Sequence, residues 1–221
     1  MDSEEKKELS EADIKAKFIT PSIKESGWDE MTQIRREVTL TPGPVIVRGN
    51  LSSRNKKKKK FADYVLQWEA GIPVAVVEAK DNKHTISQGM QQALGYADIL
   101  QVPSAFASNG DGFASHNKVP ASGEDIEREL PLDGFPTPDE LWQRYKSYRG
   151  IEEEEERLVV EPYQADGSGK EPRYYQAEAI NRVVEAVAKG KTRLLLVMAT
   201  GTGKTYTTFQ IIWRLWKAKR A

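Results

Sequence analysis

The chain has 221 residues, of which 38% are hydrophobic and 9% aromatic, enough to bury the core of one or two folded domains. Its 33 lysines and arginines balance 33 acidic residues, and this formal net charge of zero excludes a global electrostatic attraction to nucleic acid. The absence of cysteine, together with only two histidines, excludes disulfides and Cys/His metal sites.

The beginning of the chain is acidic and charged, and no apolar run approaches the ~18 residues that span a bilayer. We therefore expect neither secretion nor membrane insertion, and a cytoplasmic location suits the lack of cysteine. The charged residues include two runs of opposite sign, five lysines at 56–60 and five glutamates at 152–156. The glutamates predict a solvated surface, whereas the lysines are either a solvated loop or neutralisers of nucleic-acid phosphates.

Apolar spacing predicts a helix over about residues 10–26, interrupted near Pro21. Two β-type runs follow, at 34–40 and 45–47, with turn residues between them at 41–44. This pattern predicts a first β-hairpin.

A second hairpin is predicted after the lysine run. Its candidate strands are 61–68 and 74–79, and the residues between them include a glycine and a proline that favour a turn. An amphipathic helix over 85–100 and a short strand at 105–107 come next. We expect the second hairpin to lie in the centre of a sheet.

The last third of the chain predicts a helix around 141–145 and then a polar, linker-like segment over 151–172, where we expect a domain boundary. A helical stripe of apolar residues over 176–189 follows, and the apolar run at 194–197 predicts a strand. The order of these elements indicates an α/β protein.

The predicted strand at 194–197 leads into Ala-Thr-Gly-Thr-Gly-Lys-Thr at 199–205. Glycines let backbone N–H groups turn toward phosphates, Lys204 supplies a positive charge, and the Thr205 hydroxyl can ligate Mg²⁺. A strict P-loop would have glycine at Met198, and the ending present here resembles that of superfamily 2 helicases and translocases. The competing interpretation is a glycine-rich turn before a helix.

Three charged residues of the second hairpin suit phosphodiester hydrolysis. Glu78 and Lys80 are two apart in a strand, so they point the same way, and Asp63 on the neighbouring strand can join them. Two carboxylates can hold Mg²⁺, while Lys80 steadies an attacking water or the charge that develops on phosphate. The competing interpretation is ordinary solvent-facing charge at a strand end.

These residues resemble the PD-(D/E)xK nuclease family. Asp63 follows Ala62 where the family often has Pro-Asp, and Glu78-Ala79-Lys80 matches the second half of its motif. Gln92 and Tyr96 resemble the Gln-x-x-x-Tyr element of DNA-processing members, and their spacing places them on one helix face.

The order of the motifs resembles the restriction (motor) subunit of Type I restriction-modification enzymes: nuclease-like hairpin, Gln-x-x-x-Tyr helix, acidic linker, Tyr-Tyr-Gln at 174–176 and the loop at 199–205. The resemblance implies an endonuclease domain fused to a superfamily 2 translocase. Such an enzyme cleaves DNA with Mg²⁺ and ATP, and separate modification and specificity subunits recognise the site.

The resemblance also implies roles for individual residues. Asp63 and Glu78 would be Mg²⁺ ligands and Lys80 the catalytic lysine, with Gln92 and Tyr96 supporting the nuclease site or contacting the DNA backbone. Glu11 is a weaker candidate for an additional acid. The implied nucleotide-binding residues are Gln176, which would contact adenine, and Gly201, Thr202, Gly203, Lys204 and Thr205, which would hold phosphates and, through Thr205, Mg²⁺.

We therefore expect a restriction-endonuclease-like mixed sheet flanked by helices over 1–150, a linker over 151–172, and the start of a RecA-like P-loop domain over 173–221. Sixteen residues follow Thr205, too few for a complete ATPase, so we expect part of a longer protein and no ATP hydrolysis by this chain. The predicted function is Mg²⁺-dependent DNA cleavage within an ATP-driven restriction complex. The alternative is a non-catalytic DNA-binding or assembly module, and a small P-loop kinase is disfavoured.

Overall fold

The computed structural model describes residues 3–41, 45–48, 51–54, 60–165, 167 and 172–219. The α-helices are α1 (Ser3–Lys7), α2 (Glu11–Ile14), α3 (Thr20–Glu25), α4 (Met90–Leu100), α5 (Pro138–Arg149), α6 (Glu153–Val159), α7 (Tyr174–Ala188) and α8 (Lys204–Ala218). A π-helical segment, Lys15–Ile19, joins α2 to α3, and 3₁₀ turns lie at Ile86–Gly89 and Leu132–Gly134. The strands are β1 (Ile34–Thr41), β2 (Val45–Arg48), β3 (Leu51–Arg54), β4 (Lys60–Gln67), β5 (Pro73–Ala79), β6 (Ser104–Ser108), β7 (Gly112–Asn117) and β8 (Glu127–Pro131).

A six-stranded sheet in the order β1-β4-β5-β6-β7-β8 forms the centre of the fold. Its neighbours are antiparallel except for β5 and β6, which run parallel across the helical connection through α4. Every residue of β5 is buried, as expected for a strand covered on both faces. The predicted α/β class with a mixed sheet flanked by helices is confirmed, as is the β4–β5 hairpin inside the sheet.

Two hydrophobic clusters cover the two faces of the sheet, and β5 contributes side chains to both. Ala75 and Val77 belong to the first cluster, whereas Val76 belongs to the second, as alternation along a strand requires. The first cluster contains apolar residues of α2, α3 and α5, and it includes a stack of Trp68 on Trp142 with ring centroids 5.2 Å apart. The second cluster is made with α4.

The first predicted hairpin is wrong. β1 pairs antiparallel with β4, and β2 instead pairs with β3 in a separate two-stranded sheet. β1 and β4 each have eight residues, so their pairing forms a longer ladder than the four-residue β2 allows, and it buries Ile34 and Leu40 of β1 in the two clusters. Of the turn predicted at 41–44, Thr41 is the last residue of β1, and 42–44 lie outside the described residues.

The first helix passes through Pro21 without the predicted interruption. Pro21 lies in the first turn of α3, directly after the π-helical segment. The backbone N–H of Thr20 bonds to the carbonyl of Lys15, five residues earlier, so the wider turn absorbs the irregularity before a residue that has no N–H to donate. Ile14, Ile19 and Ile23 are all fully buried.

The strand predicted at 194–197 does not form. Residues 191–199 have no regular secondary structure, and Leu195 and Val197 are 90% and 83% exposed. A strand requires a hydrogen-bonded neighbour, and none of the described strands lies beside this run. Sequence reasoning also missed β7 and β8, and the segment 151–172 contains α6, whose Val159 is buried in the first cluster.

The C-terminal helices contact the turn between β4 and β5. Asn181 of α7 donates its side-chain amide to the carbonyl of Gly71 at 2.8 Å and accepts from the Tyr163 hydroxyl at 2.7 Å. The guanidinium of Arg214, fully buried on α8, donates to the same Asn181 oxygen at 2.7 Å and lies 4.9 Å from the Tyr163 ring. A single asparagine therefore links α8 to the hairpin.

Replacing Gly71 by alanine should destabilise the fold through this contact. Gly71 has φ +84°, and an added Cβ would lie 2.2 Å from the Tyr163 ring. Gly123 has nearly the same φ, +87°, with open space around it, so Gly123→Ala is a matched control. Chemical denaturation should show a loss of about 1–2 kcal/mol for Gly123→Ala and at least about 3 kcal/mol for Gly71→Ala. Equal losses of stability in the two variants would mean that the Tyr163 ring moves aside without cost.

Candidate functional site

Asp63 lies where the β4–β5 ladder ends. The last registered pair is Tyr64 with Val77, and beyond it the Asp63 carboxylate accepts the backbone N–H of Ala79 at 2.8 Å. The side chain thus takes the place of a backbone hydrogen bond and fixes the end of β4 against the residues Glu78-Ala79-Lys80. The other carboxylate oxygen accepts from Lys15 at 2.9 Å.

Glu78 is the most deeply buried acid of the group, with 3% of the side chain exposed. Its Oε1 accepts from the Lys80 ammonium at 2.9 Å, while its Oε2 is buried and has no hydrogen-bond partner among the described residues. Burial, and after it the charge of Asp63, raise the pKa of Glu78 to about 7 against the opposing effect of Lys80. The contact confirms the prediction that the side chains of Glu78 and Lys80 point the same way.

Lys80 remains a cation in this environment. Burial lowers its pKa, but the hydrogen bond and negative charge of Glu78 outweigh burial and raise the pKa above its ordinary value. The chain therefore holds a positive charge and two carboxylates together at the adjacent ends of two strands.

Gln92 and Tyr96 lie on one face of α4, as predicted, and the Gln92 amide donates to the Tyr96 hydroxyl at 2.7 Å. Burial raises the pKa of Tyr96, and the charges of Glu78 and Asp63 add to the rise. Asp63, Glu78 and Lys80 thus meet at the adjacent ends of β4 and β5, and α4, which carries Gln92 and Tyr96, packs against β5.

Sequence reasoning missed Lys15 and Glu37. The Lys15 ammonium lies 2.7 Å from Glu37, 2.9 Å from Asp63 and 3.6 Å from Glu11. Burial lowers the pKa of Lys15, but hydrogen bonds to Glu37 and Asp63 outweigh it and raise the pKa. The spacing of Glu11 and Lys15 is a helical ion-pair signal, whereas nothing in the local sequence marks Glu37.

Glu37 stands opposite Asp63 in the β1–β4 register, between the pairs Arg36–Tyr64 and Val38–Ala62. Its backbone has φ +51°, a left-handed conformation that is rare for a residue other than glycine. Apolar side chains change faces at this point, because Tyr64 packs in the first cluster and Ala62 in the second. The irregular backbone brings Glu37 to the site.

The donor set fits Mg²⁺, although no group of three or more His, Cys, Asp or Glu side chains among the described residues forms a ready-made metal cluster. Mg²⁺ is commonly bound by one or two carboxylates, with water and substrate phosphate completing its shell. Asp63 and Glu78 supply such a pair, and the buried Oε2 of Glu78 lacks a partner. A divalent cation would satisfy that oxygen.

The glycine loop (residues 199–203) precedes α8 without the predicted strand. Gly201 and Gly203 have φ +79° and +85°, and α8 begins at Lys204, so free N–H groups of its first turn are available to an anion. Thr202 donates its hydroxyl to Ala199 at 2.6 Å, and Lys204 donates to the Met198 carbonyl at 3.2 Å. Thr205 is exposed.

Gln176 contacts this loop. Its amide nitrogen donates to the Thr202 carbonyl at 2.9 Å, and its amide oxygen accepts the backbone N–H of Arg173 at 2.9 Å. The residue predicted to contact adenine therefore joins the start of α7 to the glycine loop. The lysine run at 56–59 lies outside the described residues, and Lys60 at the start of β4 is exposed.

The two features of the chain that suggest a class of protein are the carboxylate–lysine centre on the mixed sheet and the glycine loop that follows it. Comparison with known proteins identifies that class. The chain is 54% identical over 211 residues to the Type I restriction enzyme EcoAI endonuclease subunit of Escherichia coli, a match that covers 96% of this chain and 26% of that protein. It is 26% identical over 262 residues to the EcoKI endonuclease subunit of Escherichia coli strain K12, covering 97% of this chain and 22% of that protein.

A solved structure and a family profile agree with these relatives. A fragment assigned to the HsdR subunit of a type I restriction enzyme from Vibrio vulnificus YJ016 superposes with a TM-score of 0.79 at 42% identity, covering 96% of this chain and 39% of that chain. Residues 169–221 match the family described as Type III restriction enzyme, res subunit.

The chain is thus homologous, over nearly its whole length, to the endonuclease subunits of Type I restriction enzymes, and the resemblance inferred from its motifs is confirmed. It spans about a quarter of the length of those curated relatives, 26% and 22%. No helix among the described residues has the length and apolar character to cross a membrane.

Glu78→Gln should stabilise the metal-free protein at pH 8 and much less at pH 5. A carboxyl whose pKa rises from 4.5 to about 7 on folding penalises the folded state above pH 4.5, and the penalty is complete above pH 7. Glutamine removes the ionisation and can still accept from Lys80. Thermal unfolding in chelator checks this, with Glu129→Gln on the exposed part of β8 as the control. A gain that is the same at both pH values would contradict the raised pKa.

Gly89→Ala should disturb the site, whereas Gly95→Ala should not. An added Cβ at Gly89 would lie 3.0 Å from the Glu78 Cγ and 3.4 Å from Ala107, but at Gly95, inside α4, it would meet nothing within 4 Å. Denaturation should show a loss of about 1–3 kcal/mol for Gly89→Ala and a gain of about 0.5–1 kcal/mol for Gly95→Ala. A gain at both positions would show that Glu78 moves aside without cost.

Proposed function

We propose that this chain is the Mg²⁺-dependent endonuclease part of an ATP-driven Type I restriction enzyme, which hydrolyses DNA phosphodiester bonds after translocation. The observation that carries the proposal is the convergence of Asp63, Glu78 and Lys80 at adjacent strand ends, in a chain homologous to Type I endonuclease subunits. The unpartnered, buried carboxylate oxygen of Glu78 supports a cation at the same place.

Asp63 and Glu78 would hold Mg²⁺ in this centre. Bound Mg²⁺ polarises a phosphate oxygen and makes an attacking water more acidic. The hydrogen bond from Ala79 fixes the Asp63 carboxylate, so this ligand is oriented before a cation or a substrate arrives. Burial excludes water around Glu78, which strengthens its attraction for a cation.

Lys80 would act on the substrate. Its side chain is 23% exposed and its ammonium donates to Glu78 in the metal-free protein, so Lys80 lies at the boundary between the buried acid and solvent. From there it can orient an attacking water or stabilise the negative charge that develops on phosphate. Gln92 and Tyr96, joined by their own hydrogen bond, would support the centre from α4.

Residues 173–221 would begin a superfamily 2 ATPase domain, following a nuclease domain over 1–150 and a linker over 151–172. The residues of the glycine loop and the start of α8 that would hold ATP phosphates and Mg²⁺ are Gly201, Thr202, Gly203, Lys204 and Thr205. Gln176 would contact adenine after exchanging one of its present hydrogen bonds. The proposed partners are DNA and the modification and specificity subunits of a Type I complex.

Metal titration tests the nuclease centre without depending on those partners. Calorimetric titration with Mn²⁺ should show binding to the parent chain that falls at least about tenfold in Asp63→Asn and Glu78→Gln, since each variant removes an anionic ligand. The titration is done without ATP, so no phosphate-bound metal reaches Thr205 in the glycine loop. Lys204→Ala and Thr205→Ala are therefore controls that should keep the parent affinity.

Binding that is indifferent to Asp63 and Glu78 would overturn the nuclease proposal. In that case the non-catalytic DNA-binding or assembly module would be favoured, and Asp63→Asn should leave DNA binding and assembly intact. Cleavage by the complex reconstituted with modification and specificity subunits then distinguishes a metal site that cuts DNA from one that only binds metal.

A further inference from the structure

Lys15 lies at the centre of the acidic group, although it belongs to neither of the predicted motifs. Its ammonium contacts Glu37 at 2.7 Å and Asp63 at 2.9 Å, and the Glu11 carboxylate lies 3.6 Å away. Only 19% of the Lys15 side chain is exposed, so these carboxylates share one largely enclosed cation.

Two irregular pieces of backbone bring these groups together. Lys15 is the first residue of the π-helical segment, and Glu37 holds a left-handed conformation in the middle of β1. Each departure from regular geometry costs free energy, and π segments and left-handed non-glycine residues are enriched at functional sites. An incidental surface ion pair would require neither the π-helical segment nor the left-handed residue. The contact of both irregular segments at one ammonium is therefore not incidental.

The groups around Lys15 carry an excess of negative charge that equals the charge of one divalent cation. The four carboxylates of Glu11, Glu37, Asp63 and Glu78 carry two more charges than the ammoniums of Lys15 and Lys80 when all are ionised. A bound divalent cation would balance that excess. The contact from Lys15 occupies the Asp63 oxygen that is not held by Ala79, so the ammonium would compete with a metal for that oxygen.

We propose that Lys15 is a positioning residue whose ammonium acts as a built-in counter-ion for the nuclease centre. In the metal-free protein it holds Asp63 beside Glu37. When a divalent cation binds Asp63, the ammonium gives up that contact and stays with Glu37 and Glu11. This inference rests on the proposed function, because it takes Asp63 as a metal ligand.

Calorimetric titration with Mn²⁺ compares the parent chain with Lys15→Gln. Removing a competing cation should tighten Mn²⁺ binding about tenfold. The unfolding temperature of Lys15→Gln in chelator should be lower than that of the parent, and Mn²⁺ should raise it by more than it raises that of the parent. Lys17→Gln is the matched control, since Lys17 lies on the same helix, is 53% exposed and contacts only Asp13 at 3.8 Å among the carboxylates of the described residues. It should bind Mn²⁺ as the parent does.

The double variant Lys15→Gln/Glu37→Gln covers the case in which Lys15→Gln does not fold, because it removes one acid along with its cation. It should bind Mn²⁺ more tightly than Glu37→Gln alone. Unchanged or weaker binding in both comparisons overturns the role of Lys15. That failure is distinct from failure of the proposed function, in which Mn²⁺ binding by the parent and by the Lys15 variants is insensitive to Asp63 and Glu78.

Discussion

The hydrogen bond from the Ala79 backbone to the Asp63 carboxylate is the constraint on which the centre depends. It replaces a rung of the β4–β5 ladder by a side-chain contact, so β4 can leave the regular pairing while its acid stays fixed against β5. Because Ala79 lies between Glu78 and Lys80, the same contact sets where those two side chains stand. Orientation of the site is thus built into the sheet, the most rigid part of the fold.

The centre concentrates charge where burial makes charge costly. Glu78 is nearly enclosed, and one of its oxygens has no hydrogen-bond partner in the part of the chain that the structure describes, which a core selected for stability alone would avoid. Lys80 and Lys15 offset part of the negative charge but not all of it. Each lysine contacts a different acid, Lys80 with Glu78 and Lys15 with Asp63. The arrangement lowers the stability of the metal-free protein and leaves an electrostatic place for a cation.

Local sequence predicted the parts of the fold that depend on local rules. The β4–β5 hairpin has a short turn and apolar strands, and Gln92 and Tyr96 are set by helical spacing, so both were accessible. The β1–β4 pairing joins segments separated in sequence, and the left-handed backbone of Glu37 carries no glycine to mark it. The run at 194–197 has the composition of a buried strand but lacks a neighbour here, since a strand is completed by its partners.

The contact between the C-terminal helices and the hairpin explains why these segments form one structure. Arg214 on α8 and Asn181 on α7 are buried, and Asn181 reaches the Gly71 carbonyl in the turn from which β5 leads to Glu78. At the other end of the same two helices, Gln176 of α7 bonds to the loop that precedes α8. The loop that precedes α8 is therefore bonded to α7, α7 contacts the turn of the hairpin that carries Asp63 and Glu78, and α8 reaches that turn through Asn181. A few polar contacts, of which the one between Arg214 and Asn181 is fully buried, thus connect the glycine loop through α7 and α8 to the turn that precedes β5.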